Sequence, residues 1–111
     1  IVFTTFGTLG DLYPYIALGQ ELKARGHDIV IATSNRYREK VERHGIGFHT
    51  IRPDSPDLNA DHAAMRNLMD SRRGTEHIIQ NLLMPFLRDS YNDLKDAVDG
   101  ADLLVSHLLA Y

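Results

Sequence analysis

The chain has 111 residues, 43% of them hydrophobic and 24% charged, with a net charge of −3, which is the size and balance of one compact α/β domain. That composition gives no basic footprint for nucleic acid, and the absence of cysteine excludes a disulfide framework, a thiolate metal site and a cysteine nucleophile. No run of about 18 apolar residues is present to span a membrane.

The first residues, 1–5, are apolar and β-branched and read as a buried strand. Residues 6–12 hold Gly7 and Gly10 and read as a tight turn. Pro14 then sits where proline is tolerated, in the first turn of a helix. Ile16, Leu18 and Leu22 give that helix an apolar face, and Gly26 ends it. Residues 29–32 form the second buried strand, and Thr33-Ser34-Asn35 supply a cap for a polar helix over 36–44 that Gly45 terminates. A third strand follows over 46–51. Residues 52–60, with Pro53, Asp54, Pro56, Asp57 and Asn59, read as a loop. Two helical stretches are expected over 61–70 and 75–98, the second broken or kinked at Pro85. Gly100 precedes a fourth strand over 102–107. The strands are apolar runs without clean alternation, as expected when both faces are covered. The expected fold is therefore α/β, a Rossmann-like doubly wound parallel sheet of order 3-2-1-4 with helices on both faces. The chain opens without Met and closes just past an apolar strand, so residues 1–111 are expected to be a single domain cut from a longer protein.

In an open parallel sheet, ligands bind beyond the carboxyl ends of the strands, where the strand order reverses. That point lies between strands 1 and 4, where the turn Gly7-Thr8-Leu9-Gly10-Asp11 and the end of strand 4 at His107 converge. A glycine turn before a helix invites a nucleotide. The dinucleotide fingerprint, however, needs a third glycine and an acid at the end of strand 2, where this chain has Thr33-Ser34-Asn35. A carboxylate at Asp11 is placed to act as a general base on a hydroxyl, or to cap the first helix. His107 is placed to orient a substrate, or to make a local strand-end hydrogen bond. No histidine pair shows metal-ligand spacing, so no metal is expected. Met65, Met69 and Met84 occur only in the middle region, whose helices cover the sheet and offer an adaptable apolar lining for a cleft.

Gly7-Thr8-Leu9-Gly10-Asp11-Leu12-Tyr13-Pro14, followed by Ala17-Leu18 and Gly26-His27, closely resembles the N-terminal domain of GT-B glycosyltransferases. The likeness is to family 28-type and sterol-glucosyltransferase-like enzymes and to antibiotic glycosyltransferases. The run from Val41 to Phe48 is similar to the second helix and third strand of these enzymes. The resemblance implies one half of a GT-B fold, in which an acceptor binds beside Gly7, Thr8, Leu9, Gly10 and Pro14, to which its strand-end position adds His107. It implies inverting transfer of a hexosyl group from a nucleotide-sugar of UDP or dTDP type to a hydroxyl of a lipid-like or other small hydrophobic acceptor. Asp11 is the base it implies. The donor would be held mainly by a C-terminal domain, so the fragment alone is expected to be inactive. No cofactor beyond the nucleotide-sugar and no nucleic-acid partner are implied. The expected location is cytoplasmic, with peripheral association at the inner face of a membrane. The competing readings are a non-catalytic Rossmann-like nucleotide-binding module and a GT-B type sugar-nucleotide epimerase.

Overall fold

The computed structural model describes residues 1–54, 63, 66 and 69–108. Its centre is a four-stranded parallel sheet of order β3-β2-β1-β4, as the sequence pattern predicts. The strands are β1 (Val2–Thr4), β2 (Val30–Thr33), β3 (Gly47–Thr50) and β4 (Leu104–Ser106). Val2 is opposite Val30 on one side and Leu104 on the other, and Val30 is opposite Gly47. β1 thus lies inside the sheet, which is why all three of its residues are buried.

The helix α1 (Leu9–Ala24) packs Leu12 and Ile16, one turn apart, onto Phe3 and Ile31. A short 3-10 turn (Asn35–Tyr37) leads into α2 (Arg38–Glu42), which adds Tyr37 and Val41 to the same core. Each fully buried aliphatic side chain there contributes roughly 1.5–3 kcal/mol of transfer free energy. Gly26 and Gly45 end these helices in the left-handed region, at φ of 93° and 71°.

Two local expectations change. α1 begins at Leu9 with Thr8 as its N-cap, five residues before Pro14, so the proline lies inside the helix. It is tolerated because only one intrahelical bond is lost, the one its missing N–H would give to the carbonyl of Gly10. The stretch expected as one helix from 75 to 98 is divided. It comprises α3 (Gly74–His77), a π-helical stretch (Ile78–Leu83), a 3-10 turn holding Pro85 (Met84–Phe86), and α4 (Leu87–Ala97). A proline that cannot donate to the preceding turn is relieved by widening that turn. Most of the helix expected over 61–70, with Met65, lies outside the described residues. Among the described residues, no helix is long and apolar enough to cross a membrane.

α4 is tied to the end of β3 by one residue. The guanidinium of Arg52 donates to both carboxylate oxygens of Asp93, at 2.9 and 2.8 Å. Its backbone N–H donates to the same carboxylate at 3.0 Å. Asp89 lies 3.6 Å from the guanidinium, and the Ser90 hydroxyl donates to the carbonyl of Arg52. A planar fork on a carboxylate fixes direction as well as distance. The hydrogen bonds from Arg52 hold the Asp93 carboxyl below the usual carboxylate range, more than its partial burial raises it. A carboxylate with a depressed folded-state pKa contributes stability that is complete above its unfolded pKa and is lost as pH falls through the folded one. Asp93→Asn is therefore expected to lower Tm by a few degrees at neutral pH and to flatten the decline of Tm on acidification. Parallel Tm-against-pH curves for the two proteins would contradict this.

Candidate functional site

The turn between β1 and α1 is built around one carboxylate. Asp11, the third residue of α1, folds back on its own N-cap. Its Oδ2 accepts from the backbone N–H of Thr8 at 2.7 Å and from the Thr8 hydroxyl at 3.0 Å. Thr8 is thus the N-cap, and the alternative that placed Asp11 in that position is corrected. Asp11 instead supplies the reciprocal half of the capping arrangement, with its negative charge at the positive end of the helix.

Gly7 makes this possible. Its φ of 133° is in the region that favours glycine, and a Cβ there would stand 2.3 Å from Asp11 Oδ2. The Gly7 carbonyl is in turn held by the Tyr37 hydroxyl at 3.0 Å. Burial pushes the Tyr37 phenol up, against the lowering effect of Arg36, and the Asp11 carboxylate adds to the rise. The phenol is therefore a secure donor at neutral pH.

Capping uses one oxygen of Asp11. The other, Oδ1, lies 3.8 Å from His107 Nε2, with the Asp11 side chain 37% exposed and that of His107 27% exposed. At that separation the contact is an ion pair when the imidazole is charged, and it is beyond hydrogen-bond reach. His107 is carried to the rim because its backbone N–H donates to the carbonyl of Thr4 at 2.9 Å, extending the ladder between β4 and β1. The sheet therefore brings together two residues 96 positions apart that the sequence had placed at one crevice. Gly10 is exposed in the first turn of α1, Pro14 is exposed one turn further on, and Leu9 leans onto the core.

An apolar cavity of about 300 Å³ opens beside this turn, at the lower end of the range for small-molecule sites. It does not lie between β1 and β4, where the sequence reading placed the crevice. Its floor is the ends of β1 to β3, with Thr4, Thr5 and Phe6 from β1, Thr33 and Ser34 from β2, and Ile51 after β3. Its wall is Ile79, Leu83, Met84, Leu87 and Leu94 from the helices held by the Arg52 clasp. Met84 joins this lining although, like Met69, it is largely exposed. Gly7, Thr8, Leu9, Gly10, Pro14 and His107 are not among the lining residues. They stand on the Asp11 side of the β1 tip, and Thr5 and Phe6 lead from one side to the other.

This chemistry suits a hydroxyl compound better than a phosphate. The Thr8 N–H that an anion would use at the helix start already holds a carboxylate, and a second negative charge there would be repelled. Among the described residues, no three His, Asp or Glu side chains are grouped as a metal site would need.

The glycosyltransferase family 28 N-terminal domain matches residues 1–91 of this chain. The chain belongs to that family. The family 28 domain is also similar to curated sterol 3-beta-glucosyltransferases. One from Cryptococcus neoformans var. neoformans is 36% identical over 108 residues, covering 95% of this chain and 6% of the relative. One from Gibberella zeae is 35% identical over 109 residues, covering 95% and 7%. One from Saccharomyces cerevisiae is 46% identical over 54 residues, covering 49% and 4%. The chain thus spans less than a tenth of the length of these relatives.

Since a Cβ at Gly7 would collide with the capping carboxylate and the φ there is unfavourable for any other residue, Gly7→Ala is expected to destabilise the family 28 domain by about 1–3 kcal/mol. Thermal unfolding of the variant checks it, and an unchanged Tm would show that the turn can relax without cost.

Proposed function

We propose that the full-length protein carrying this domain is an inverting hexosyltransferase that glycosylates the hydroxyl of a lipid-like, sterol-type acceptor from a nucleotide-sugar of UDP or dTDP type. The observation that carries this reading is the Oδ1 of Asp11, not used in capping and facing His107 at the rim of the sheet, with an apolar cavity on the other side of the β1 tip. The relatives' names, sterol 3-beta-glucosyltransferase, support the acceptor class.

The chemistry follows from these parts. Asp11 Oδ1 takes the proton of the acceptor hydroxyl as that oxygen bonds to the anomeric carbon of the sugar. The bond from that carbon to the nucleotide's phosphate oxygen breaks, and the nucleoside diphosphate leaves with the electron pair. The configuration at carbon inverts because attack and departure are on opposite faces. Thr8 keeps the carboxylate aimed through Oδ2, and His107, when protonated, steadies Oδ1 from across the crevice. The apolar body of the acceptor packs in the cavity, while Gly7, Leu9, Gly10 and Pro14 form the surface along which it reaches Asp11. The donor is held by a further domain, which leaves this domain inactive alone. The enzyme is cytoplasmic and works at the inner face of a membrane, where such acceptors reside. Flotation of the full-length protein with sterol-containing vesicles checks this last point, and a protein left wholly in the aqueous fraction would contradict it.

Asp11→Asn keeps an oxygen to accept from Thr8 but removes the base. Turnover of the full-length enzyme is expected to fall by a factor of about 10²–10⁴, with the affinity for the nucleotide-sugar unchanged, and this domain alone should transfer no sugar in the same assay. Near-normal turnover by the variant would remove Asp11 as the base.

A further inference from the structure

The peptide group between Gly7 and Thr8 is held at both of its ends. Its carbonyl, on Gly7, accepts from the Tyr37 hydroxyl at 3.0 Å. Its N–H, on Thr8, donates to Asp11 Oδ2 at 2.7 Å. Tyr37 lies 30 residues away in sequence from Gly7, in the 3-10 turn that follows β2. One hydrogen-bonded line thus runs from the Tyr37 phenol, through a single peptide, to the Asp11 carboxylate.

The phenol is well fixed for this task. Tyr37 is buried in the same core cluster as Val41, and the Arg36 guanidinium sits over its ring, 5.1 Å from the centroid. Burial raises its pKa more than Arg36 lowers it, so it keeps its proton at neutral pH. The peptide needs such a clamp. With glycine at residue 7 the backbone on that side of the peptide rotates readily. Rotation would turn the Thr8 N–H away from Asp11 and leave Oδ2 with the Thr8 hydroxyl alone. A donor on the carbonyl opposes that rotation. It also polarises the peptide, which makes the N–H a stronger donor to the carboxylate.

We propose that Tyr37 is a positioning residue for sugar transfer: by clamping the Gly7–Thr8 peptide it holds the Asp11 carboxylate, and so Oδ1, in the orientation that takes the acceptor proton. The proposal rests on the reading of Asp11 as base given above and adds a buried residue from outside the turn.

The test uses the full-length enzyme and its Y37F variant, which keeps the ring and removes only the donor. The kcat of Y37F is expected to fall roughly three- to tenfold, the worth of one hydrogen bond, with KM for the nucleotide-sugar unchanged. Combined with Asp11→Asn, Y37F should cause no further fall, because a side chain that is no longer a base gains nothing from its orientation. Hydrogen–deuterium exchange at the Thr8 amide should be faster in Y37F than in the wild type. V41A, which weakens the same core without touching Gly7, controls for lost stability and should keep the wild-type kcat. The proposal is overturned by an unchanged kcat in Y37F, by an equal fall with and without Asp11, by a V41A that loses as much turnover, or by unchanged exchange. The exchange measurement needs no sugar transfer. Faster exchange in a protein whose turnover survives Asp11→Asn, or that transfers nothing, would leave the clamp standing and remove the reading of Asp11 as base. Wild-type exchange in Y37F, with turnover that depends on Asp11, would do the reverse.

Discussion

The structure around the β1 tip depends on how one carboxylate divides its two oxygens. Asp11 Oδ2 is held by both donors of Thr8, which fixes the start of α1. Oδ1 is left at the rim, with His107 across the crevice. The arrangement is possible only because residue 7 has no Cβ, and because the Tyr37 hydroxyl holds the Gly7 carbonyl from the far side. A helix-capping role and a chemical role are often treated as alternatives for an acid at such a position. For the base proposed above, the first role serves the second, since a capped carboxylate has lost its rotational freedom before any substrate arrives.

A second constraint shapes the space beside that carboxylate. The helices over the ends of β1 to β3 are anchored by the Arg52 fork on Asp93, and the chain leaving β3 also supplies Asp54. That residue accepts from the Ser34 hydroxyl and from the N–H of Asn35, where α2 is about to begin. One short segment after β3 therefore ties down both the start of the second helix and the last helix before β4. The cavity between them is apolar because α4 turns Leu87 and Leu94 toward the sheet and keeps its charged residues outside. Fold and cavity are thus joined through ordinary packing, with Thr5 and Phe6 leading from the cavity to the Asp11 turn.

Much of this is written locally in the chain. The apolar runs at Val2 to Thr4 and Val30 to Thr33 announce buried parallel strands, because residues covered on both faces need no alternation. The spacing of Gly7 and Asp11 is equally legible, since it reflects a bend and a carboxylate that meet within one turn. The position of Pro14 misleads, because a proline usually marks the first turn of a helix, whereas Thr8 and Asp11 together fix an earlier start. Pro85 signals a break, but the widened turn before it depends on how the chain absorbs the missing donor. The pairing of Arg52 with Asp93 spans 41 residues and leaves no local trace. The place of the cavity follows from that pairing, which is why it opens over β1 to β3 and not between β1 and β4.

The most direct measurement of the division of labour in Asp11 is a crystal structure of the full-length protein with an acceptor alcohol bound. The account predicts the acceptor oxygen at about 2.6–3.2 Å from Asp11 Oδ1, with Oδ2 still on Thr8 and the apolar body in the cavity over β1 to β3. An acceptor held with its hydroxyl away from Asp11, or a carboxylate that swings off Thr8 to meet it, would contradict the account.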